Sequence, residues 1–289
     1  MRARRGICVS RDDGVRRVVG DALAAAGFTV ELRADLDDGA GIDGAAVVVV
    51  DRATRQATGE GLRAIGAPVV VVGDDLDDDG LITLMLDQPV SHLVGDPRDR
   101  DLGITSEKLA SGDVFGLEKY LAPGARVGER VITTDLESRT AKDEVCAWAE
   151  AIGARRPVLH RLASVVDELV MNALHDTPAG ERRAVLRWAS DDRCLAISVG
   201  DGFGALRQRD VIDNVRRARS ERGRPQPQTA EQRGAGLGLY LVLANVASLV
   251  VNVAPGRRTE VVCLFDLAKK TEPRAIHAGV RSLHVFAAS

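Results

Sequence analysis

A glycine-rich string, Gly-Ala-Gly-Leu-Gly-Leu at residues 234–239, restricts the fold of this 289-residue chain more than any other feature. The apolar run Tyr240–Ala247 follows it, so we predict a helix that opens at the string. The first N–H groups of a helix have no intrahelical acceptors, and glycines let another group approach them closely. The string therefore predicts a helix N-terminus that can receive a negatively charged group. A glycine-rich loop ahead of a buried helix would have the same pattern.

Two other segments precede the string along the chain. The first, Pro157–His175, is predicted to be a helix, with Glu168 and Asn172 one turn apart on one face. Its apolar residues recur at helical spacing and form a single stripe: Leu159, Leu162, Ala163, Val166, Leu169, Val170 and Ala173. The second is a predicted strand, Leu195–Val199, which runs into Asp-Gly-Phe-Gly at residues 201–204.

In this order the three segments resemble the N, G1 and G2 boxes of GHKL ATP-binding domains, the superfamily of gyrase, heat-shock chaperones and histidine kinases. The resemblance covers about residues 126–267 and implies an α+β sandwich of the Bergerat type that binds ATP and Mg²⁺. Glu168 is then implied to orient or deprotonate the attacking hydroxyl or water. Asn172 is implied to be a ligand of Mg²⁺, and Asp201 to accept a hydrogen bond from the adenine amino group.

The resemblance assigns nucleotide contacts to other motif residues as well. The glycines are implied to bring backbone N–H groups to the nucleotide beside Leu237, and they are Gly202, Gly204, Gly234, Gly236 and Gly238. Thr259 corresponds to the Gly-Thr pair that often precedes the last strand, here Glu260–Phe265, although Arg258 replaces the glycine. The polar segment 220–233 stands where these proteins carry the ATP lid. Its arginines are candidates for phosphate contacts or ordinary solvated residues: Arg222, Arg224 and Arg233.

The first glycine box departs from the family pattern. The usual order is D-x-G-x-G, whereas this chain has D-G-F-G, one residue shorter. Either Asp201 keeps the aspartate position and the loop is tightened, or Gly200 takes that position and adenine recognition is lost. We favour Asp201, because it follows directly on the predicted strand. Two other assignments stay open: Glu168 would also suit a salt-bridged helix residue, and His175 a C-terminal helix cap.

The first hundred residues alternate short strands with helices. The β-branched runs Val47–Val50 and Val69–Val72 are typical of parallel strands buried on both faces. The other predicted elements are Gly6–Val9, Phe28–Leu32 and Val90–Val94 as strands and Val15–Ala26 and Leu81–Leu86 as helices. This alternation predicts a doubly wound, flavodoxin-like parallel sheet.

Residues 1–97 resemble a response-regulator receiver domain, with Asp51 at the position of the phosphorylated aspartate. The metal-binding acidic pair falls on Ser10 and Arg11, with Asp12 and Asp13 shifted from it. The hydroxyl and lysine positions are Gly73 and Gly95. We therefore predict a degenerate receiver that serves as a docking or dimerisation surface, and no phosphotransfer at Asp51.

Composition excludes two classes of partner. The formal net charge is −3, so no global basic field attracts nucleic acid or a membrane surface. No apolar run approaches the roughly 20 residues that span a bilayer. We expect a cytoplasmic protein whose four separated cysteines are small, reduced core residues: Cys8, Cys146, Cys194 and Cys263.

The predicted domain order is a receiver-like domain at 1–97, a helical connector at 98–125 and a GHKL domain at 126–289. The connector carries a predicted helix, Leu102–Leu121, with a break near Gly112. A strand at 126–134 and a helix at 139–152 then resemble the start of anti-sigma-factor serine kinases, not the helical hairpin of a sensor histidine kinase.

These resemblances imply a bacterial signalling protein that binds adenine nucleotide with Mg²⁺ and regulates a protein partner, with serine/threonine kinase activity on that partner; a homodimer is compatible with them. Two alternatives stay open: a non-catalytic, nucleotide-dependent interaction module, and the catalytic half of a split histidine kinase. His160 lies eight residues before Glu168 on the same predicted helix and cannot reach over as a phosphoacceptor.

Overall fold

The computed structural model describes most of the chain, namely residues 4–36, 41–54, 66–73, 91–175, 182–207, 210–211, 237–267 and 282–288. The chain divides into two compact units. Unit 1 comprises Met1–Val114 with Arg281–Phe286, and unit 2 comprises Phe115–Val280 with Ala287–Ser289. The residues predicted as a connector are thus divided, with 98–114 in unit 1 and 115–125 in unit 2.

Unit 1 is an α/β layer built on a parallel sheet. Its strands are β1 Arg5–Val9, β2 Thr29–Arg33, β3 Val47–Asp51, β4 Val69–Val72 and β5 His92–Val94, and its helices are α1 Asp13–Ala25 and α2 Asp101–Ser111. The strand order β2-β1-β3-β4-β5 with parallel pairing is the flavodoxin-like order. The predicted parallel α/β sheet is therefore confirmed. The predicted helix Leu81–Leu86 lies outside the described residues.

The core of unit 1 explains this arrangement. Strand β3 is buried along Val47–Val50, and α1 packs Val19 and Leu23 against the sheet. Helix α2 adds Leu102 to the same cluster, so it belongs to the body of the unit. Asp12 begins α1 by accepting hydrogen bonds from the N–H groups of residues 14 and 15, at 2.7 and 3.0 Å.

Unit 2 has an antiparallel sheet with helices packed against it. Its strands are β6 Gly128–Ile132, β7 Ala184–Ser190, β8 Cys194–Asp201, β9 Ser248–Ala254 and β10 Arg258–Asp266, in the order β9-β10-β8-β7-β6. The helices are α3 Asp135–Ala151, α4 Arg156–His175 and α5 Leu237–Asn245. Helix α4 contacts α3, α5 and strands β7 and β8. It is therefore the central helix of the layer.

The side chains of β8 and β10 alternate between the two faces of the unit 2 sheet. Thr259 of β10 lies opposite Asp201 of β8, and the next pair along, Glu260 and Gly200, points to the other face. The backbone N–H of Gly116 donates to Glu260 at 2.8 Å, so the segment before the 3₁₀ turn Leu117–Tyr120 covers that second face. Asp201 and Thr259 therefore lie on the face opposite to that segment.

Three strands were not predicted from the sequence. They are β7, β9 and a last strand, β11 Ser282–Ala287, which pairs antiparallel with β5. Hydrophobic alternation in these segments is weak. Strands β7 and β9 form hairpins with the next strands, β8 and β10, whereas β11 pairs with a strand from the far end of the chain. The C-terminal residues 282–286 thus extend the sheet of unit 1, although the predicted domain order placed them in the GHKL domain.

The cysteines have free thiols, and three of the four are buried. Burial raises the pKa of the Cys8 thiol to about 12, with a further contribution from the nearby Asp51 carboxylate. Burial also raises the pKa of Cys263. All four cysteines were predicted to be small core side chains. Cys8, Cys194 and Cys263 are buried as predicted, whereas Cys146 is only half-buried.

Among the described residues, no helix is long and apolar enough to cross a membrane.

Candidate functional site

Glu168 and Asn172 lie on the flank of α4, beside its buried stripe. The stripe consists of Leu162, Val165, Val166, Leu169, Val170 and Leu174. Both polar side chains are half-buried, and the Asn172 amide donates a hydrogen bond to the Glu168 carboxylate. The predicted pairing of these two residues across one helical turn is thus present in the fold.

Gly238, in the first described turn of α5, is in direct contact with Glu168. A Cβ atom at residue 238 would overlap the Glu168 carboxylate in its present position, so a larger residue there would displace that carboxylate. Two motifs that are 70 positions apart in the sequence therefore meet where α4 packs on α5.

Three features of its surroundings shift the pKa of the Glu168 carboxyl group. Burial raises this pKa most, the charge of Asp167 raises it further, and the hydrogen bond from Asn172 lowers it. A carboxyl with a raised pKa is a stronger base once ionised, as general-base catalysis requires. Because Asn172 donates through its NH₂ group, its amide oxygen stays available as a ligand for a hard cation.

Asp201 ends strand β8 and shapes the loop that follows. Its Oδ1 accepts hydrogen bonds from the N–H groups of Phe203 at 2.8 Å and Gly204 at 3.2 Å. No other hydrogen bond or ion pair joins Asp201 to the described residues, so its Oδ2 atom has an unused acceptor position there. Asp201 and Gly200 are neighbours at the end of β8 and point to opposite faces of the sheet, Asp201 opposite Thr259 and Gly200 opposite Glu260.

Thr259 stands directly across the sheet from Asp201. It is 3% exposed, and its hydroxyl has no hydrogen-bond partner among the described residues. An unpaired buried hydroxyl costs about 1–3 kcal/mol, so it points to a group that the fold alone does not supply. Thr259 and Asp201 together form a polar pair at one end of strands β8 and β10.

Gly204 is required by the geometry of this loop. Its φ is +61°, and a Cβ there would collide with the carbonyl oxygen of Ala254 and come within 2.9 Å of the backbone nitrogens of Arg257 and Arg258. Gly204 thus locks the shortened glycine box against the turn between β9 and β10.

We expect Gly204→Ala to lower the free energy of unfolding by about 1–3 kcal/mol, because it combines a left-handed backbone with a backbone clash. Urea unfolding measures the change. Gly202→Ala is the matched control in the same loop, since a Cβ at that position meets no atom within 4 Å. Equal stability of the two variants would contradict the packing described for Gly204.

Several residues predicted for the site lie elsewhere or outside the described part of the chain. Gly234, Gly236 and the lid arginines Arg222, Arg224 and Arg233 fall in the segment 212–236, outside the described residues. Leu237 is the first described residue of α5, and His175 is the last residue of α4, but their side chains are also outside it. His160 is exposed on α4.

No protein-family model matches this chain, and no curated protein does. Among solved structures, a chain of the SiaB–SiaC complex from Pseudomonas aeruginosa is similar at a TM-score of 0.35 and 16% identity, over 48% of this chain and 88% of that one. Similarity at that level establishes neither a common fold nor a common function.

A second polar site of unit 2 was not predicted. A cavity of about 650 Å³ is lined by five arginines, Arg182, Arg183, Arg187, Arg257 and Arg258. We call it the arginine cavity. Glu260 and the loop residues 201–203 also line it, whereas Glu168, Asn172 and Gly238 do not. The arginine doublets at 182–183 and 257–258 were the available sequence signal, but a doublet alone is typical of solvated turns.

In unit 1, the surroundings of Asp51 differ from a working receiver site. Asp51 ends β3, where it accepts hydrogen bonds from the buried Ser10 hydroxyl and, at 2.5 Å, from the N–H of Thr54. Ser10, at the predicted position of a metal-binding acid, therefore binds Asp51 directly. Asp12 caps α1 instead. The carboxylate is used for local structure at the end of the strand.

We expect acetyl phosphate with Mg²⁺ to give no stable adduct at Asp51, because two donors already occupy the carboxylate and the receiver's acidic position is Ser10 in this chain. Intact-mass spectrometry against Asp51→Asn measures this. A beryllofluoride-dependent shift in the amide signals of residues 47–54, absent from Asp51→Asn, would contradict it.

Proposed function

We propose that unit 2 is an ATP-binding module of the GHKL type, with the nucleotide held between the helices and the Asp201 face of the sheet. The observation that carries this proposal is the contact of Glu168 with Gly238. The helix that bears the carboxylate and the glycine-rich helix start pack together, as the N and G2 boxes require. Asp201 and Thr259, adjacent on β8 and β10, supply the second half of the site.

The described residues fit adenine nucleotide and Mg²⁺. The unpaired buried hydroxyl of Thr259 and the unused Oδ2 of Asp201 suit the adenine end, where an amino group donates. The amide oxygen of Asn172 suits Mg²⁺. No group of three or more His, Cys, Asp or Glu side chains that could hold a metal occurs among the described residues. Mg²⁺ would therefore rely on Asn172, water and phosphate oxygens, a coordination that this ion accepts.

ATP, when bound, supplies the γ-phosphoryl group for transfer. Glu168 then accepts the proton of a serine or threonine hydroxyl on a partner, or orients an attacking water. The Asn172 hydrogen bond holds this carboxylate in position and favours its ionised form. Gly238 keeps the space beside the carboxylate clear of a side chain.

The biological role that we infer is regulation of a partner protein in a cytoplasmic bacterial signalling pathway. Unit 2 is the candidate anti-sigma-type serine/threonine kinase. Unit 1 has the strand order of a receiver but lacks its acidic pair, and we infer that it serves as a docking or dimerisation surface. Fold alone does not assign the reaction, so activity has to be tested at the site itself.

A nucleotide-binding isotherm with and without Mg²⁺ tests the binding proposal, and incubation with labelled ATP and candidate partners tests the chemistry. Alkali-stable labelling of a partner indicates serine/threonine transfer, and acid-labile labelling indicates transfer to histidine. ATP binding without labelling would favour a non-catalytic module, which the shortened glycine box also permits. Absence of ATP binding would overturn the proposal for unit 2.

A further inference from the structure

We propose that the arginine cavity binds an acidic segment of a partner protein. This cavity shares Asp201 with the proposed nucleotide site, but Glu168, Asn172 and Gly238 do not line it. It contacts the first glycine box through residues 201–203 and otherwise lies on the sheet face that carries Gly200 and Glu260.

The charge of the cavity is the first argument. Five arginines line it against two acidic residues, Asp201 and Glu260, a formal charge of +3 on a chain whose formal net charge is −3. Arg182 and Arg183 are exposed and have no ion pair with any described residue. Positive charge concentrated in this way attracts an anionic ligand and repels a basic one.

Two of the arginines are held in position before any ligand arrives. The Arg258 guanidinium lies 4.5 Å from the ring centroid of Phe115 and 3.7 Å from Glu260. Glu260 is 1% exposed and is itself fixed by hydrogen bonds from the N–H of Gly116 at 2.8 Å and from Asn252 at 3.0 Å. These contacts set the direction of the Arg258 side chain, which reduces the entropy lost on binding.

Arg187 is oriented in a similar way. Its Nε donates to Glu129 at 2.7 Å on the neighbouring strand β6, which leaves other guanidinium N–H groups for the cavity. Planar guanidinium groups bind carboxylates through two parallel hydrogen bonds, a geometry that a lysine does not offer.

The shape and setting of the cavity favour a peptide over other anions. Val185 and the half-buried Phe203 add apolar surface between the arginines, which suits the backbone and methylene groups of glutamate-containing segments. Nucleic acid binding relies on contacts to many successive phosphates, and the acidic balance of the chain disfavours such an extended contact. Recognition of acidic motifs by arginine clusters is an established mode of peptide binding.

The test measures fluorescence anisotropy of a labelled peptide of alternating glutamate and glycine, with the full-length protein in low salt and without nucleotide. The same peptide with glutamine in place of glutamate is the ligand control. The variant is the charge reversal Arg182→Glu/Arg183→Glu. The matched control, Arg155→Glu/Arg156→Glu, reverses two adjacent exposed arginines at the start of α4, which do not line the cavity.

We expect the wild type to bind the glutamate peptide with an affinity that decreases as the salt concentration rises. The glutamine peptide should not bind. The 182/183 variant should bind about tenfold more weakly or worse, and the 155/156 variant about as tightly as wild type. Circular dichroism of both variants checks that the fold is retained.

The proposal would be overturned if the wild type did not bind the glutamate peptide, or if both variants bound it equally weakly. It would also be overturned if the wild type bound a single-stranded oligonucleotide more tightly than the peptide and the 182/183 variant did not bind that oligonucleotide. Competition by MgATP together with loss of ATP binding in the 182/183 variant would also overturn it, because the cavity would then be a phosphate site. Since the peptide titration omits nucleotide, its failure is distinguishable from a failure of the ATP proposal.

Discussion

Glu168→Gln is expected to lower ATP turnover by about 10²–10⁴-fold, the usual contribution of a positioned general base. Glutamine keeps the size of the side chain and its contact with Asn172 but cannot take a proton. ATP affinity should stay nearly unchanged, because the proposed role of Glu168 is to contact the attacking group and not the nucleotide. Steady-state turnover and a binding isotherm on the same preparations separate the two effects.

The pH profile gives an independent measurement of the same residue. Burial raises the pKa of Glu168, so the base form is lost, and turnover declines, at a higher pH than for an ordinary glutamate. Asn172 lowers this pKa through its hydrogen bond. Asn172→Ala should therefore move the acid limb of the profile to higher pH, besides weakening Mg²⁺-dependent nucleotide binding.

Thermal stability distinguishes a catalytic Glu168 from a structural one. A carboxyl whose pKa is raised in the folded state binds its proton more tightly there than in the unfolded chain. The free energy of unfolding therefore decreases as pH rises from the pKa of the unfolded chain to the higher pKa of the folded protein. At neutral pH, Glu168→Gln should keep or raise the melting temperature while turnover falls.

The matched control is Asp167→Asn on the same helix. This change removes a surface ion pair in which the Lys142 ammonium lies 2.7 Å from the Asp167 carboxylate. Surface pairs contribute about 1 kcal/mol or less, and turnover should stay near that of wild type. A lower melting temperature for Glu168→Gln with unchanged turnover would assign Glu168 a structural role.

Asp201→Asn is expected to weaken ATP binding by about ten- to a hundredfold, which corresponds to a charge-assisted hydrogen bond of roughly 1.5–3 kcal/mol. Asparagine keeps the Oδ1 acceptor for the N–H groups of Phe203 and Gly204, so the loop is retained. The second oxygen becomes an NH₂ group, which cannot accept a hydrogen bond from the adenine amino group.

Asp191→Asn provides the control, because Asp191 shapes a similar turn at the other end of β8. Its Oδ1 accepts hydrogen bonds from the N–H groups of Arg193 and Cys194, both at 2.9 Å. ATP affinity of this variant should equal that of wild type. Unchanged affinity in both variants would show that Asp201 is not the adenine contact, as the alignment through Gly200 implies.

Local signals in the sequence were sufficient for the elements that carry the candidate site. The apolar stripe of α4 placed Glu168 and Asn172 on one face, because helical spacing alone determines which side chains share a face. The valine runs of β3 and β4 predicted a parallel sheet for the same reason, since strands buried on both faces have no polar alternation. The position of Asp51 at the end of β3 followed directly.

Long-range relations could not be predicted in this way. Strand β7 pairs with β6, which lies about 50 residues earlier in the chain, and β11 joins the sheet of unit 1 from the far end of the chain. The burial of Glu260 and the stacking of Arg258 on Phe115 depend on a segment more than 140 residues away. No local pattern indicates that a carboxylate will be enclosed there.

The sequence by itself determined the candidate site residues of unit 2 and the local elements on which they lie. Only the tertiary structure decided that the Glu168 carboxylate rests on Gly238, that Thr259 stands opposite Asp201, and that two arginine doublets share one cavity. The physical reason is that propensity and periodicity act over a few residues. Sheet register and helix packing are instead set by the summed burial of the whole unit.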